Sequence, residues 1–294
     1  MEIDLHRMRE ATIEANPESV SEAKIDLWKE LGFSRISLGV QSLHDSVLKS
    51  IGRNHDRETA LRSLSILNKS GVRLSVDLMF ALPHQTTSIF LEELREVLDL
   101  GLQHISFYGL GIEPQTLFGQ KAEKGLLAVD EEIYRESYLR GVELCAEYGL
   151  MRYEISNFSV EGEESHHNRV YWERQPYLGL GPGAHSYNGD RLREANPRQF
   201  SRWKSSVDSK AREWREVDHL GCRELINEEL WLSLRQSKGI ALNRLKEMEI
   251  NHDKLDYWLK RGELQLLDGN IQATEEGWLL IDEICSSLFV ELSR

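Results

Sequence analysis

Four polar side chains close or interrupt four short apolar runs, and their types suit the recognition of hydroxyl and amino groups. Glu14 ends Ala11-Thr12-Ile13, Gln41 ends Ile36-Ser37-Leu38-Gly39-Val40, Asp77 follows Leu74-Ser75-Val76, and Tyr108 ends His104-Ile105-Ser106-Phe107. Carboxylates and side-chain amides accept hydrogen bonds from hydroxyl and ammonium groups, and a phenol both donates and accepts. Each run reads as a strand followed by helical periodicity, the pattern of a parallel βα sheet. Chemistry on such sheets collects at the carboxyl ends of the strands, so these four side chains are expected on one rim.

The connecting segments carry helix signals. Asn16-Pro17 reads as an N-cap and first helical residue, with apolar periodicity through Val20, Ile25, Leu27 and Leu31 before Gly32. Asp45 opens a short helix ending at Gly52, Asp56 caps a longer one closing at Gly71, and a helix after Phe80-Ala81-Leu82-Pro83-His84-Gln85-Thr86 stops at Gly101. Glycine at a helix end is what α-to-β connections prefer. After Tyr108 the regular pattern fails: residues 110–125 read as an irregular excursion, Asp130 opens a helix carrying Tyr134 and Tyr138, and Met151 to Phe158 reads as one further strand. Residues 161–190 are polar and glycine-rich, and a connection of that length usually binds something.

From Glu216 the pattern becomes helix, helix, helix, hairpin, helix, with Asp268-Gly269 as the hairpin turn, which predicts a winged-helix-like domain. Residues 1–215 and 216–294 are therefore the expected domains, and the fold class is α/β followed by α+β. The chain has 294 residues, a formal net charge of −13 and 40% hydrophobic residues, enough for a sizeable core. Its acidity argues against nucleic acid or an anionic membrane surface as partner, and residues 216–294 hold 9 Lys and Arg against 16 Asp and Glu. Cys145, Cys222 and Cys285 lie far apart without metal-ligand spacing, and no apolar run reaches membrane-spanning length, so a cytoplasmic protein is expected. A parallel edge left open at the first strand leads to the further expectation that at least one βα unit precedes Met1.

Several motifs in fixed order narrow the reading. Glu14-Ala15-Asn16-Pro17, Ser37-Leu38-Gly39-Val40-Gln41-Ser42, Gly52-Arg53-Asn54-His55, Asp77 with Leu82-Pro83-His84-Gln85-Thr86, and His104 to Tyr108 resemble the oxygen-independent coproporphyrinogen oxidase branch of the radical S-adenosylmethionine proteins. Tyr153 to Phe158, His167-Asn168-Arg169-Val170-Tyr171-Trp172 and Gly181-Pro182-Gly183-Ala184-His185-Ser186 resemble its haem-chaperone subgroup. The resemblance implies a partial (β/α)6 barrel, truncated at its amino terminus, that binds S-adenosylmethionine against a [4Fe-4S] cluster and carries haem to an acceptor protein. It implies that Glu14, Gln41, Arg53 and Asp77 contact S-adenosylmethionine. It also implies a three-cysteine cluster loop and a glycine-rich segment that this chain does not contain.

His167 and Asn168, followed by Tyr171 and Trp172, join an imidazole to an aromatic wall, a pairing suited to a porphyrin with His167 on the iron. His166 and His185 are weaker candidates. The first functional expectation is thus a haem chaperone, with an unidentified acceptor. Its alternatives are an oxygen-independent coproporphyrinogen III dehydrogenase, which needs the cluster, and an inactive fragment; whether the chain is an enzyme stays open.

Overall fold

Alternation decides the first sheet. The computed structural model describes residues 4–112, 114, 116–125, 128–209 and 215–289. Strands β1 (Thr12–Ala15), β2 (Arg35–Gln41), β3 (Arg73–Phe80) and β4 (His104–Gly109) pair in parallel, and helices α1 (Glu22–Glu30), α2 (Asp45–Ser50), α3 (Arg57–Lys69) and α4 (Thr87–Leu98) connect them. Ile36, Leu38, Val40, Val76, Leu78, Phe80, Ile105 and Phe107 project to one face and are buried there with Leu64 of α3 and Phe90 and Leu94 of α4. Phe80, Phe90 and Phe107 meet with ring centroids 5.6 to 5.9 Å apart. Each such side chain contributes roughly 1.5–3 kcal/mol of burial.

The alternate positions are Thr12, Glu14, Ser37, Gly39, Ser75, Asp77, His104, Ser106 and Tyr108. The inner face is polar almost throughout. A closed, packed barrel would fill these positions with branched aliphatic side chains, whereas this open sheet carries polar ones.

Two expectations change here. Pro17–Ser19 is a 3-10 turn, and α1 starts later, capped by Ser21, whose hydroxyl accepts from the Lys24 amide. The expected strand over Met151 to Phe158 is a hairpin: β5 (Met151–Glu154) and β6 (Asn157–Ser159) are antiparallel, and β6 inserts beside β4. Phe158 then stacks on Phe107 at 4.3 Å, so the hairpin seals the apolar face as well as extending the sheet. The stretch expected to be irregular contains α5 (Leu117–Glu123), while Glu113, Gln115, Leu126 and Leu127 lie outside the described residues. Helix α6 (Glu131–Glu147) buries Tyr138, as its spacing predicts; Tyr134 is partly exposed but packs on Phe80. Gly32, Gly71 and Gly101 end their helices with positive φ.

The chain divides into two compact units, Met1–Glu164 and Ser165–Arg294. Residues 165–215, expected with the first domain, lie in the second of these units together with the histidine-bearing stretch. That unit runs α7 (His166–Trp172), β7 (His185–Tyr187), β8 (Leu192–Ala195), α8 (Phe200–Asp208), β9 (Glu216–His219), α9 (Cys222–Leu234), β10 (Ile240–Ala241), α10 (Leu242–Glu247), α11 (His252–Arg261), β11 (Leu264–Leu267), β12 (Asn270–Ala273), α12 (Glu275–Leu279) and α13 (Ile281–Leu288). Antiparallel β7-β8-β9 forms one small sheet and β10-β12-β11 another. From α9 onward the order is winged-helix-like, with the turn at Asp268 and Gly269 where the sequence places it. Leu230, Leu234, Leu245, Trp258, Ile284 and Leu288 form its core.

Candidate functional site

The rim of the first unit is built by one irregularity. Between Gly39 and Gln41 the β2–β3 register shifts, and Gln41 takes a left-handed backbone with φ of +67°. A bulge of this kind re-aims a side chain at the end of a strand, and a non-glycine residue held there is strained by about 1–3 kcal/mol. A Cβ on Gly39 would lie 3.0 Å from Gln41 Nε2 and 3.5 Å from Asn16 Oδ1, so a side chain there would crowd the amide. Arg53 Nη1 donates to the same Asn16 Oδ1 at 3.2 Å. Gln41 and Arg53 therefore meet around Asn16.

The two acids approach from the neighbouring strands. Gly39 is the register partner of Asp77, and Glu14 is the partner of Ser37. Ser37 Oγ donates to the Asp77 carboxylate at 3.0 and 3.2 Å. Burial pushes Asp77 up to about 6; hydrogen bonds from Ser37 and Ser106 oppose the shift and the charge of Glu14 adds to it. Tyr108 lies one pair beyond, and burial together with Asp77 raises its hydroxyl to about 12. Glu14, Gln41, Asp77 and Tyr108 do share the carboxyl-end rim, and Arg53 joins them from the loop after α2.

Three supports escaped the sequence reading. Glu93, on the buried side of α4, accepts from Ser42 Oγ at 2.5 Å, the Leu43 amide at 2.9 Å and Gln85 Nε2 at 3.0 Å. Gln85 also donates to the Met79 carbonyl at 3.1 Å, so one carboxylate ties the ends of β2 and β3 together. Its signal was an acid among Phe90, Leu94 and Val97 on an apolar helix face. Below the rim, Ser75 Oγ lies 2.7 Å from His104 Nδ1, and Tyr153 Oη 2.9 Å from Nε2. Burial lowers His104 to about 3, which keeps this imidazole neutral. Beside Asp77, Ser106 Oγ donates to Asn157 Oδ1 at 2.6 Å, and Asn157 Nδ2 donates to Glu154.

In the second unit, Ser165 caps α7 by accepting from the Asn168 amide at 3.3 Å. His167 and Tyr171, one helical turn apart, share a face; their rings meet edge-on at 5.0 Å. The aromatic row continues to Tyr177 at 4.7 Å and Tyr187 at 6.2 Å. His167 and Tyr171 are exposed, as are Leu178 and Leu180. Gly179 lies against the His185 backbone, where any Cβ would collide with the carbonyl. Trp172 lines a cleft of about 730 Å³ with Arg174, Tyr187, Gln236 and Lys238. Residues 167 and 172 are not on one helical face, and Tyr187 belongs both to the aromatic row and to this cleft.

No metal-holding group of three or more His, Cys, Asp or Glu occurs among the described residues, and none of their helices is long and apolar enough to cross a membrane. Cys145 and Cys285 are buried, and burial raises both thiols, Cys285 to about 11.

Four parallel strands joined by helices, with acids and amides towards their carboxyl ends, define a βα fold, and residues 2–100 match the Radical SAM superfamily. The chain is 32% identical over 293 residues to the "Heme chaperone HemW" of Bacillus subtilis, covering 97% of this chain and 77% of that protein. It is 33% identical over 248 residues to the protein of the same name from Lactococcus lactis, covering 83% of this chain and 64% of that one. The solved coproporphyrinogen III oxidase HemN of Escherichia coli, a radical SAM enzyme, superimposes with a TM-score of 0.78 at 20% identity over 96% of this chain and 70% of that one; this likeness shows the fold alone. The chain belongs to the HemW family of the radical SAM superfamily.

Proposed function

We propose that this chain is a haem chaperone, holding haem on the His167 face of α7 and passing it to an acceptor protein, with S-adenosylmethionine on the rim of the first unit. The observation that carries the reading is the exposed His167 set edge-on against Tyr171, followed by Tyr177 and the exposed Leu178 and Leu180. Neutral imidazole is a common axial ligand of haem iron, and flat aromatic and aliphatic surface suits the macrocycle. An exposed ligand suits a carrier, which must give its cargo up. On this reading Asn168 and Trp172 act less directly, Asn168 through the helix start and Trp172 through its own cleft.

The rim residues fit S-adenosylmethionine by their chemistry. Arg53 suits the carboxylate, Gln41 and Glu14 the ammonium and hydroxyl groups, and Asp77 a ribose hydroxyl or the ammonium. The superfamily implies this cofactor and a [4Fe-4S] cluster. The cluster, which supplies an electron when bound, takes its iron ligands from thiolates, and the residues present do not fit it: two of the three cysteines are buried with raised thiols, and no ligand set forms among the described residues.

Hemin titration of the full chain, followed at the Soret band, tests the haem reading. Saturable binding in the wild type and at least tenfold weaker binding in His167→Ala are expected. An unchanged titration curve in that variant removes His167 from the site.

A further inference from the structure

The loops that follow β2 and β3 are strained at matching points. The Ser42 amide donates to the Val40 carbonyl at 2.8 Å and closes a three-residue turn on Gln41; with a φ of +67° at its centre, this is the rare, strained form of that turn. After β3, the Gln85 amide donates to the Leu82 carbonyl at 3.0 Å, with Pro83 and His84 between them. His84 has a φ of +67° and Ala81 one of +55°. A turn with proline first and a left-handed residue second ordinarily takes glycine at the second place. Five residues other than glycine are left-handed among the described residues, and these three are the ones in the first unit. Such strain persists only where the surroundings over-determine it.

What over-determines it is a single buried carboxylate. Glu93 is 4% exposed, Gln85 4% and Ser42 0%. Glu93 Oε1 accepts from the Ser42 hydroxyl and the Leu43 amide, the two residues directly after Gln41, and its Oε2 accepts from Gln85 Nε2. Ser42 spends its one proton on Glu93, and its oxygen accepts from the His44 amide at 3.0 Å. Gln85 donates its second amide proton to the Met79 carbonyl, while its Oε1 accepts from the Leu82 amide at 3.2 Å. These bonds fix backbone groups of Leu43, His44, Met79 and Leu82, on both sides of the strained residues. All three partners of Glu93 are neutral, so hydrogen bonds compensate its burial, and a network of this kind loosens as a whole when one arm is cut.

We infer that Glu93 is a positioning residue for the cofactor: it locks the ends of β2 and β3 together, and through that lock it holds Gln41 in the left-handed turn that aims its amide at S-adenosylmethionine. The inference rests on the reading that the rim takes this cofactor. Freed of the lock, Gln41 relaxes to the negative φ that side chains prefer, and its amide swings off the rim. Gln85, on the loop after a different strand, then governs how well Gln41 binds.

Calorimetry with S-adenosylmethionine on the full chain tests this. In Glu93→Gln the side-chain oxygen keeps Ser42 and Leu43, while the new amide meets that of Gln85 donor against donor; Gln85→Met cuts the same arm and leaves the charge. Each is expected to weaken binding by about tenfold or more, and by less than about twofold once Gln41→Ala is already present. An equal loss with and without the Gln41 amide overturns the inference, since a general loss of structure or of charge does not depend on that group. Undiminished affinity in Gln85→Met overturns it as well. If Glu93→Gln does not fold, Gln85→Met carries the same comparison. Amide hydrogen exchange without ligand separates the two readings. The Leu43 and His44 amides are expected to exchange about tenfold faster or more in Gln85→Met, although that substitution lies on the other loop, and unchanged exchange overturns the lock. Faster exchange in a chain whose wild type binds no S-adenosylmethionine leaves the lock standing and removes the cofactor assignment.

Discussion

The rim of the first unit and helix α7 of the second handle polar chemistry in opposite ways. At the rim, side chains are held by polar partners from neighbouring strands and loops: half-buried Ser37 on Asp77, exposed Asn16 on Arg53, and buried Glu93 beneath the segments that carry Ser42 and Gln85. On α7, His167 is exposed on a helix of seven residues with no buried side chain, and ring contacts orient it. Binding that demands fixed geometry belongs on rigid strands with a supporting layer. Cargo that must leave belongs where little has to be broken. The comparison also separates folding from function, since the strands that carry the polar row on one face carry the apolar core on the other.

The sharpest way to break that separation is to alter the apolar face. Phe107→Ala, which removes a ring packed on Phe80, Phe90 and Phe158, is expected to lower unfolding free energy by about 3–5 kcal/mol in denaturant melts. A loss below 1 kcal/mol would mean that this face is not the core. The polar face has the next largest effect, and it depends on pH. Asp77 and Glu154 are both raised in the fold, so their contribution is fully present below their unfolded values near 4 and is lost as pH rises through about 6 and about 7. The loss is on the order of 3 kcal/mol for each group taken alone. Glu154→Gln removes one of them, and its stability relative to the wild type is expected to climb between pH 5 and pH 8.

Asp77→Asn sharpens the comparison further. It keeps the shape of the side chain but removes the charge, so S-adenosylmethionine affinity by calorimetry is expected to fall at least tenfold, about 1.4 kcal/mol, without loss of stability. Equal affinity would take Asp77 out of the site. Smallest of all, His167→Ala is expected to change unfolding free energy by less than about 0.5 kcal/mol, as surface substitutions do.

What the sequence made legible follows from period and punctuation. The two-residue alternation of β2, β3 and β4 and the glycines at 32, 71 and 101 were readable because strand and helix ends depend on local chemistry. So were Glu14, Gln41, Asp77 and Tyr108 as one rim, since the carboxyl ends of parallel strands converge whatever the details. The β5–β6 hairpin was not, because Glu154-Ile155-Ser156-Asn157 carries no turn glycine and its reversal is stabilised by pairing with β4, a contact distant in sequence. The bulge at Gln41 was hidden for the same reason, as register is a property of two strands. On α7, spacing grouped His167 with both Tyr171 and Trp172, and the helical turn sets His167 against Tyr171.

The central claim, haem held by His167 on an exposed face, is tested most directly by electron paramagnetic resonance of the ferric haem-loaded chain beside its His167→Ala variant. The account predicts an imidazole-ligated signal in the wild type that the variant lacks. Identical spectra from the two proteins would contradict it.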